Sequence, residues 1–155
     1  MTPAIRMLEK NGVVFEVCEY DHDPRAESYG LEAATALGVP PEQVFKTLIV
    51  KLETRELVAA LVPVKQSLDL KALATALGVK KAEMADVAEA ERATGYVTGG
   101  ISPLGQRKRL RTMVDESVHA LPRVYVSAGR RGVEVALQPE DLLRLCQATA
   151  AKIAR

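Results

Sequence analysis

The sequence predicts an α/β (α+β) fold, with a mixed, largely antiparallel twisted sheet or open barrel flanked by helices. Strand-like runs rich in β-branched residues are interleaved with helical patterns along the chain. Two pairs of these runs are separated only by short turns, which is typical of antiparallel hairpins. The 155 residues are 48% hydrophobic, and no linker interrupts them, so we expect one domain over residues 1–155. A Rossmann fold is disfavoured because no GxGxxG motif follows the first predicted strand.

Five helices are predicted from capping residues and apolar periodicity. Each begins at a residue that can cap the first turn, or at a proline that fixes φ there. The starts are Thr2-Pro3, Ser28, Ser67, Asp86 with Glu89 as a capping box, and Pro139. The first three helices end where a glycine follows, at Asn11-Gly12, Gly38 and Gly78.

The strands are predicted from runs of β-branched and aromatic residues. They cover residues 13–20, 44–54, 56–64, a short segment before a glycine-rich loop, 112–115, 123–129 and 132–137. The runs 44–54 and 56–64 flank a charged turn near Arg55 and predict a hairpin at the centre of the sheet. The second hairpin is expected to turn within residues 128–132.

Charge and composition restrict the classes of function. Lys and Arg number 21 against 20 Asp and Glu, so the net charge of +1 gives no overall field but allows a local basic patch. The six aromatic residues are too few for a base-stacking platform of the RRM or OB type. The N-terminus has no apolar signal segment, and no stretch approaches about 20 apolar residues, so we expect a cytoplasmic protein with no membrane partner.

Metal and cofactor sites are not indicated by the sequence. Cys18 and Cys146 lie far apart, with no CxxC motif and no histidine at ligand spacing. The segment Tyr20-Asp21-His22-Asp23 alternates along a strand end and cannot converge on one ion without a turn, which favours a solvated loop with one functional tyrosine. His119 is predicted to be a surface residue. We therefore expect no cofactor and no metal.

The most informative segment is the loop formed by Gly99, Gly100, Ile101, Ser102 and Pro103. Glycine lets the backbone approach a ligand closely, so successive N–H groups here can form a nest for a carbonyl oxygen or a phosphate. The alternative is an ordinary connection between strands. A nucleophilic role for Ser102 has little support, because it has no GxSxG context and no nearby histidine.

Lys46 is the second candidate, because it lies inside an otherwise apolar strand. By alternation it shares a face with Val44, Leu48 and Val50. Such a cation either extends to solvent at a sheet edge or lines a pocket, where it can contact a phosphate or a carbonyl group.

A basic cluster follows the glycine-rich loop. Charge runs are usually solvated faces, but the position beside a possible anion nest favours contacts with nucleic acid phosphates. The candidate nucleic-acid-binding residues are Arg107, Lys108, Arg109, Arg130 and Arg131, with Arg111 beside them.

Five segments together resemble the YbaK/EbsC family of aminoacyl-tRNA deacylases, within the wider superfamily of prolyl-tRNA synthetase editing domains. They are EYDHDP at 19–24, QVFKTLIV at 43–50, VPV with LDLKALATALG at 62–78, TGYVTGGISPLGQRKRL at 94–110 and YVSAGRRGVEVAL at 125–137. The resemblance covers nearly the whole chain and implies a free-standing deacylase for Cys-tRNA(Pro). The implied partners are the acceptor end of aminoacylated tRNA(Pro) and prolyl-tRNA synthetase.

The resemblance also implies roles for individual residues. Lys46 matches the family lysine that contacts the phosphate of the terminal adenosine or the substrate carbonyl, and the backbone of 99–103 matches the loop that positions the aminoacyl ester. The remaining residues expected to contact the substrate are Tyr20, Tyr29, Thr47, Ser127 and Glu134. Tyr29 and Glu134 stand where relatives have Phe and Asp, which predicts a reshaped amino-acid pocket.

The implied mechanism needs no nucleophile from the protein. In this family the thiol of the substrate cysteine attacks its own carbonyl group, so the protein supplies only positioning and oxyanion stabilisation. Two alternatives stay open: a deacylase for Ala-tRNA(Pro) or another small aminoacyl-tRNA, and a non-catalytic module that binds tRNA or a synthetase.

Overall fold

The computed structural model describes residues 1–26 and 28–155. Its helices are α1 (Pro3–Lys10), α2 (Tyr29–Leu37), α3 (Leu70–Leu77), α4 (Val87–Thr94) and α5 (Pro139–Cys146). Its strands are β1 (Phe15–Glu19), β2 (Phe45–Leu52), β3 (Leu57–Pro63), β4 (Ala82–Met84), β5 (Arg111–Asp115), β6 (Val124–Arg130), β7 (Val133–Leu137) and β8 (Thr149–Ala151). In the described part of the chain, none of the helices has the length and apolarity needed to cross a membrane.

The predicted fold class is confirmed, but the strands form two sheets instead of one. A five-stranded mixed sheet has the order β4-β2-β3-β5-β8, and an antiparallel sheet has the order β1-β7-β6. The two sheets meet at a parallel bridge between Val44 and Tyr125. Two sheets form because the apolar faces of both hairpins pack against one shared core, which buries more apolar surface than a single open sheet would.

Alternation along β7 decides what each face of the three-stranded sheet carries. Val133, Val135 and Leu137 point into the shared core, together with Phe45 and Leu61 of the larger sheet. The residues between them, Glu134 and Ala136, therefore point to the opposite face. That second face lies next to α2 and the beginning of β2, and it supplies one wall of the candidate site described below.

Both predicted hairpins are confirmed. β2 pairs with β3 in antiparallel register, and Arg55 in the turn between them has a φ of 74°. β6 pairs with β7, with a register shift between Ser127 and Arg130. The first hairpin lies in the middle of the five-stranded sheet, as expected from its apolar composition on both faces.

Three local predictions are wrong. α3 begins after Asp69 and not at Ser67, because Ser67 exchanges two backbone hydrogen bonds with Arg155 and stays extended. α4 begins directly after Asp86 as predicted, but the capping box does not form: among the described residues Asp86 accepts no capping hydrogen bond, and Glu89 binds Lys51 at 3.1 Å and 3.2 Å. The short strand before the glycine-rich loop is absent from the described residues, where that segment turns sharply.

Candidate active site

A pocket of about 370 Å³ opens where the second face of the three-stranded sheet meets the edge of β2. Strand β4 covers β2 only at Val50–Leu52, so the pocket runs beside the preceding residues Phe45–Ile49. The start of α2, the end of β4, the start of α4 and the loop at 98–101 complete the walls. Eight of the eleven predicted catalytic and substrate-binding residues line this pocket: Tyr20, Tyr29, Lys46, Thr47, Gly99, Ile101, Ser127 and Glu134.

The β6-β7 hairpin places two polar residues side by side at one end of the pocket. Ser127 and Glu134 are register partners, so their side chains point to the same face. Ser127 Oγ accepts a hydrogen bond from the amide of Gly129 at 3.1 Å. Glu134 is only 7% exposed and forms no salt bridge or hydrogen bond with the described residues, and burial raises the pKa of its carboxyl group to about 8.

Tyr20 lies beside this carboxyl group. Its backbone N–H donates to the carbonyl of Gly132 at 2.9 Å, which fixes the chain directly after β1. Burial and the nearby charge of Glu134 raise the pKa of Tyr20 to about 12, so its hydroxyl stays protonated and can donate a hydrogen bond at neutral pH.

Strand β2 supplies a cation and a hydroxyl group to the middle of the pocket. Burial lowers the pKa of the Lys46 ammonium group, which has no carboxylate within salt-bridge distance among the described residues. Thr47 Oγ1 is buried, and no residue in the described ranges gives it a hydrogen-bond partner. An unpartnered buried hydroxyl group costs about 1–3 kcal/mol, which indicates that a ligand or water completes this part of the pocket.

The glycine-rich loop begins with a tight turn, and only part of it can act as an anion nest. The amide of Gly100 donates to the carbonyl of Val97 at 2.9 Å, so it is already engaged and cannot also serve a ligand. Gly99 occupies the third position of that turn with a φ of 90°, which a type II turn requires. Gly99 and Ile101 line the pocket, whereas Gly100 lies against the backbone of Arg130.

Arg131 fastens this turn to the mouth of the pocket. Its guanidinium group donates from Nε and Nη2 to the carbonyl of Thr98, at 3.1 Å and 2.7 Å, and lies 4.5 Å from the ring centroid of Tyr29. On the other side of the turn, the amide of Thr98 donates to Glu91 at 2.8 Å. Arg131 was predicted to bind tRNA, but these contacts make it a clamp between the β6-β7 turn, the loop and α2.

The histidine of the segment 20–23 has a structural partner. His22 Nδ1 lies 2.7 Å from Glu32 Oε1, and the amide of Asp23 donates to the other carboxylate oxygen at 2.7 Å. Burial alone would raise the pKa of Glu32, but these hydrogen bonds lower it below its ordinary value. The His22 ring also lies 5.6 Å from the Tyr29 ring, which adds to the support of the pocket mouth.

Three predicted site residues do not reach the pocket. Gly100 is turned away as described above, and Ser102 is fully buried, with its Oγ accepting from the amide of Leu104 at 3.2 Å. Pro103 lines a separate cavity of about 290 Å³ together with Arg109. The amide of Leu104 is thus used within the loop and that of Gly105 donates to Met7 Sδ of α1, so the expected nest is limited to the first residues of the loop.

The basic loop lies at the far end of α4 from the pocket. The amides of Arg107 and Lys108 donate to the carbonyls of Thr94 and Ala93, both at 2.9 Å, and anchor the loop there. The side chains of Arg107, Lys108 and Arg109 are exposed, as is that of Arg130. This surface is open to a partner, but it forms no part of the pocket wall.

Several pocket residues were missed by the sequence analysis. Met84 and Val87 come from a three-residue strand and a helix start that carry no chemical motif, and Thr98 precedes the glycines as an ordinary polar residue. A second cavity of about 480 Å³ between α3 and β4 contains none of the predicted site residues. Its lining includes Lys71, Lys80 and Lys81, and it is larger than the first, but no described residue in its lining has a buried polar side-chain atom without a partner.

The pocket combines groups that suit an activated ester more than an amide. It contains a partly desolvated cation, a buried carboxyl group, phenolic and alcoholic hydroxyl groups and exposed loop backbone, but within the described residues it holds no serine–histidine or cysteine–histidine pair. Such a site can orient a substrate and stabilise a developing oxyanion, and the attacking group must come from the substrate or from water.

Comparison with known proteins agrees with this geometry. The sequence model of the aminoacyl-tRNA editing domain matches residues 23–145. EbsC of Enterococcus faecalis, a candidate Cys-tRNA(Pro)/Cys-tRNA(Cys) deacylase, is 37% identical over 98% of this chain and 92% of its own length. The multifunctional Ser/Thr-tRNA deacylase ProXp-y of Escherichia coli is 29% identical over 92% of this chain and 86% of its own length.

A solved structure shows the same fold. The crystal structure of a candidate trans-editing enzyme for prolyl-tRNA synthetase superposes with a TM-score of 0.86 and 28% sequence identity. The alignment covers 100% of this chain and 99% of that one, so the likeness includes both sheets.

Proposed function

The chain belongs to the family of aminoacyl-tRNA editing domains, and we propose that it is a trans-editing deacylase that hydrolyses the ester of Cys-tRNA(Pro). The observation that carries the proposal is the pocket, where Lys46, Thr47 and Glu134 converge without partners among the described residues. A resting site normally satisfies its buried polar groups internally. A buried hydroxyl group, a buried carboxyl group and a half-buried ammonium group in one cavity therefore support a polar ligand with both hydrogen-bonding and charged atoms.

The substrate chemistry fits the two ends of the pocket. The α-ammonium group of an aminoacyl ester is attracted to the carboxyl end, where Glu134 and Ser127 lie, and its arrival favours the ionised form of Glu134. The ester carbonyl then lies near Lys46 and the backbone at Gly99. Both groups can stabilise negative charge on the carbonyl oxygen as the tetrahedral intermediate forms.

The proposed first step uses the thiol of the substrate. Its sulfur forms a bond to the ester carbonyl carbon, the bond from that carbon to the ribose oxygen breaks, and the thiol proton is transferred to the departing ribose oxygen. The products are a free tRNA 3′ end and a cyclic thioester of cysteine, which water opens to cysteine. Holding the thiol against the carbonyl supplies the effective concentration that a protein nucleophile would otherwise supply.

The tRNA body would rest on the exposed basic surface. Arg107, Lys108, Arg109 and Arg130 are free to contact phosphates, in contrast to Arg131. The likeness to a candidate trans-editing enzyme for prolyl-tRNA synthetase supports that synthetase as a further partner, which would present the mischarged tRNA.

Three labelled substrates test the activity. The purified chain is incubated with Cys-tRNA(Pro), Ala-tRNA(Pro) and Cys-tRNA(Cys), and loss of the ester is followed over time. We expect rapid release of cysteine from tRNA(Pro). Release from none of the three would leave only a non-catalytic binding module, and release of alanine without cysteine would overturn both the substrate and the thiol-assisted step.

A lysine pair on one strand tests the role of the pocket. Lys46→Ala is expected to lower kcat/KM at least tenfold, equivalent to about 1.4 kcal/mol of transition-state stabilisation, without unfolding the protein. Lys51→Ala is the matched control, because Lys51 lies on the same strand but pairs with Glu89 outside this pocket. Equal activity of the two variants would remove Lys46 from the reaction.

A further inference from the structure

Two exposed apolar side chains line the outer part of the pocket. Met84 ends β4 and is 48% exposed, and Val87 begins α4 and is 58% exposed. Apolar surface left open beside a binding pocket is typical of a place where a ligand packs. Neither residue belongs to the polar groups that the deacylation step uses.

The backbone holds these two side chains in fixed positions. Met84 is the register partner of Val50, and the amide of Ala85 donates to the carbonyl of Ile49 at 3.0 Å. Val87 follows two residues later at the start of the helix. Met84 and Val87 therefore form one rigidly supported apolar platform on the β4 side of the pocket, whereas Glu134 lies on β7 of the other sheet.

The aromatic rings that line the pocket are already engaged. The ring of Tyr29 packs against both Arg131 and His22. Phe45 is only 2% exposed, and Tyr20 is held beside Glu134. Leu48 and Ile101 in the lining are only partly exposed, so the most exposed apolar surface that a flat ligand ring meets is at Met84 and Val87.

We propose that Met84 and Val87 form the platform that receives the terminal adenine base of the aminoacyl-tRNA. The inference rests on the proposed function, which places the amino acid at Glu134 and the ester near Lys46. Because the ester lies between the amino acid and the ribose, the base extends away from Glu134, toward the β4 side of the pocket. The unbranched, polarisable side chain of methionine is well suited to pack on a flat base.

Binding of adenosine alone tests the platform independently of catalysis. Titration calorimetry compares the unmodified chain, the double variant Met84→Ser/Val87→Ser and the control Val14→Ser, which changes an 85% exposed valine outside the pocket lining. We expect the double variant to bind adenosine at least fivefold more weakly and the control to bind it as the unmodified chain does. Unchanged binding by the double variant, or no binding by the unmodified chain, would overturn the proposal.

Two ester substrates then separate this inference from the deacylase activity itself. On 3′-O-cysteinyl-adenosine the double variant is expected to show a kcat/KM about tenfold lower, mainly through KM. On cysteine methyl ester, which lacks the base, it should stay within twofold of the unmodified chain. An equal loss of kcat/KM on both esters would contradict the platform. If the unmodified chain hydrolyses neither ester, the deacylase activity is contradicted, and the adenosine titration alone then decides on the platform.

Discussion

The unpartnered hydroxyl group of Thr47 gives the sharpest prediction, because one substitution should move stability and activity in opposite directions. Thr47→Val removes the hydroxyl group and keeps the shape of the side chain, so the folded protein no longer buries an unsatisfied oxygen. The gain is at most about 1–3 kcal/mol, the full cost of an unsatisfied hydroxyl group, and each 1 kcal/mol raises Tm by roughly 2–4 °C in a protein of this size.

The same variant is expected to lose activity. Because Thr47 Oγ1 is proposed to complete its hydrogen bonding with the substrate, Thr47→Val removes about 0.5–1.5 kcal/mol of binding, a decrease in kcat/KM of roughly two- to thirteenfold. Thr47→Ser keeps the hydroxyl group and should retain most of the activity. The assays are thermal unfolding and deacylation of Cys-tRNA(Pro) by the same protein preparations.

A second threonine provides the matched control. Thr112 is 5% exposed, and its Oγ1 donates to the carbonyl of Leu110 at 3.1 Å, so Thr112→Val breaks an existing hydrogen bond and should destabilise the protein by about 1 kcal/mol. If Thr47→Val also lowers Tm, or if it keeps full activity, the assignment of an unsatisfied hydroxyl group that awaits the substrate is refuted.

Two further predictions concern the clamp and the buried carboxyl group. Arg131→Met should lower kcat with little change in tRNA affinity. Neutralising Arg107 and Arg109 should instead weaken tRNA binding and flatten its dependence on salt concentration. The reverse pattern would mean that Arg131 binds tRNA and that Arg107 and Arg109 do not. Because the pKa of Glu134 is raised from 4.5 to about 8, the folded state binds the extra proton and stability falls as pH rises through that interval, by up to about 1.4 kcal/mol per pH unit. Glu134→Gln should abolish this slope in unfolding measurements between pH 5 and pH 9, and an unchanged slope would contradict the raised pKa.

Local chemistry was sufficient to predict most helices and both hairpins. Ser28 and Gly38 mark the ends of α2. The sequence placed Lys46 on a strand, where its side chain could either extend to solvent or line a pocket, and in the structure it lines the pocket. The division into two sheets was not predictable in this way, because it depends on how the two hairpins share a core between residues distant in sequence.

The missed elements are those that depend on long-range contacts. β4 and β8 have three residues each, too few for a periodic pattern. The end of the chain is held by Asp115 Oδ1, which accepts from the amides of Ile153 and Ala154 at 3.0 Å and 2.9 Å. These contacts, together with the pairing of Ser67 with Arg155, override the local capping signal at Ser67.

The candidate site was only partly predicted, because it also depends on contacts between residues that are distant in sequence. Residues with distinctive chemistry, such as Lys46 and Glu134, were found, whereas Met84 and Val87 enter the pocket only through the position of β4. The glycine-rich loop was assigned as one continuous nest, but the turn at Val97–Gly100 and the burial of Ser102 leave only its first part facing the pocket.

The replacement of sulfur by oxygen in the substrate tests the central claim most directly. Under single-turnover conditions the unmodified chain is given Cys-tRNA(Pro) or Ser-tRNA(Pro), which differ only in the atom proposed to attack the ester. We predict that cysteine is released at least tenfold faster than serine, because the serine hydroxyl group is a much weaker nucleophile than a thiol at neutral pH. Equal release of the two amino acids would show that the attacking group is not the substrate thiol.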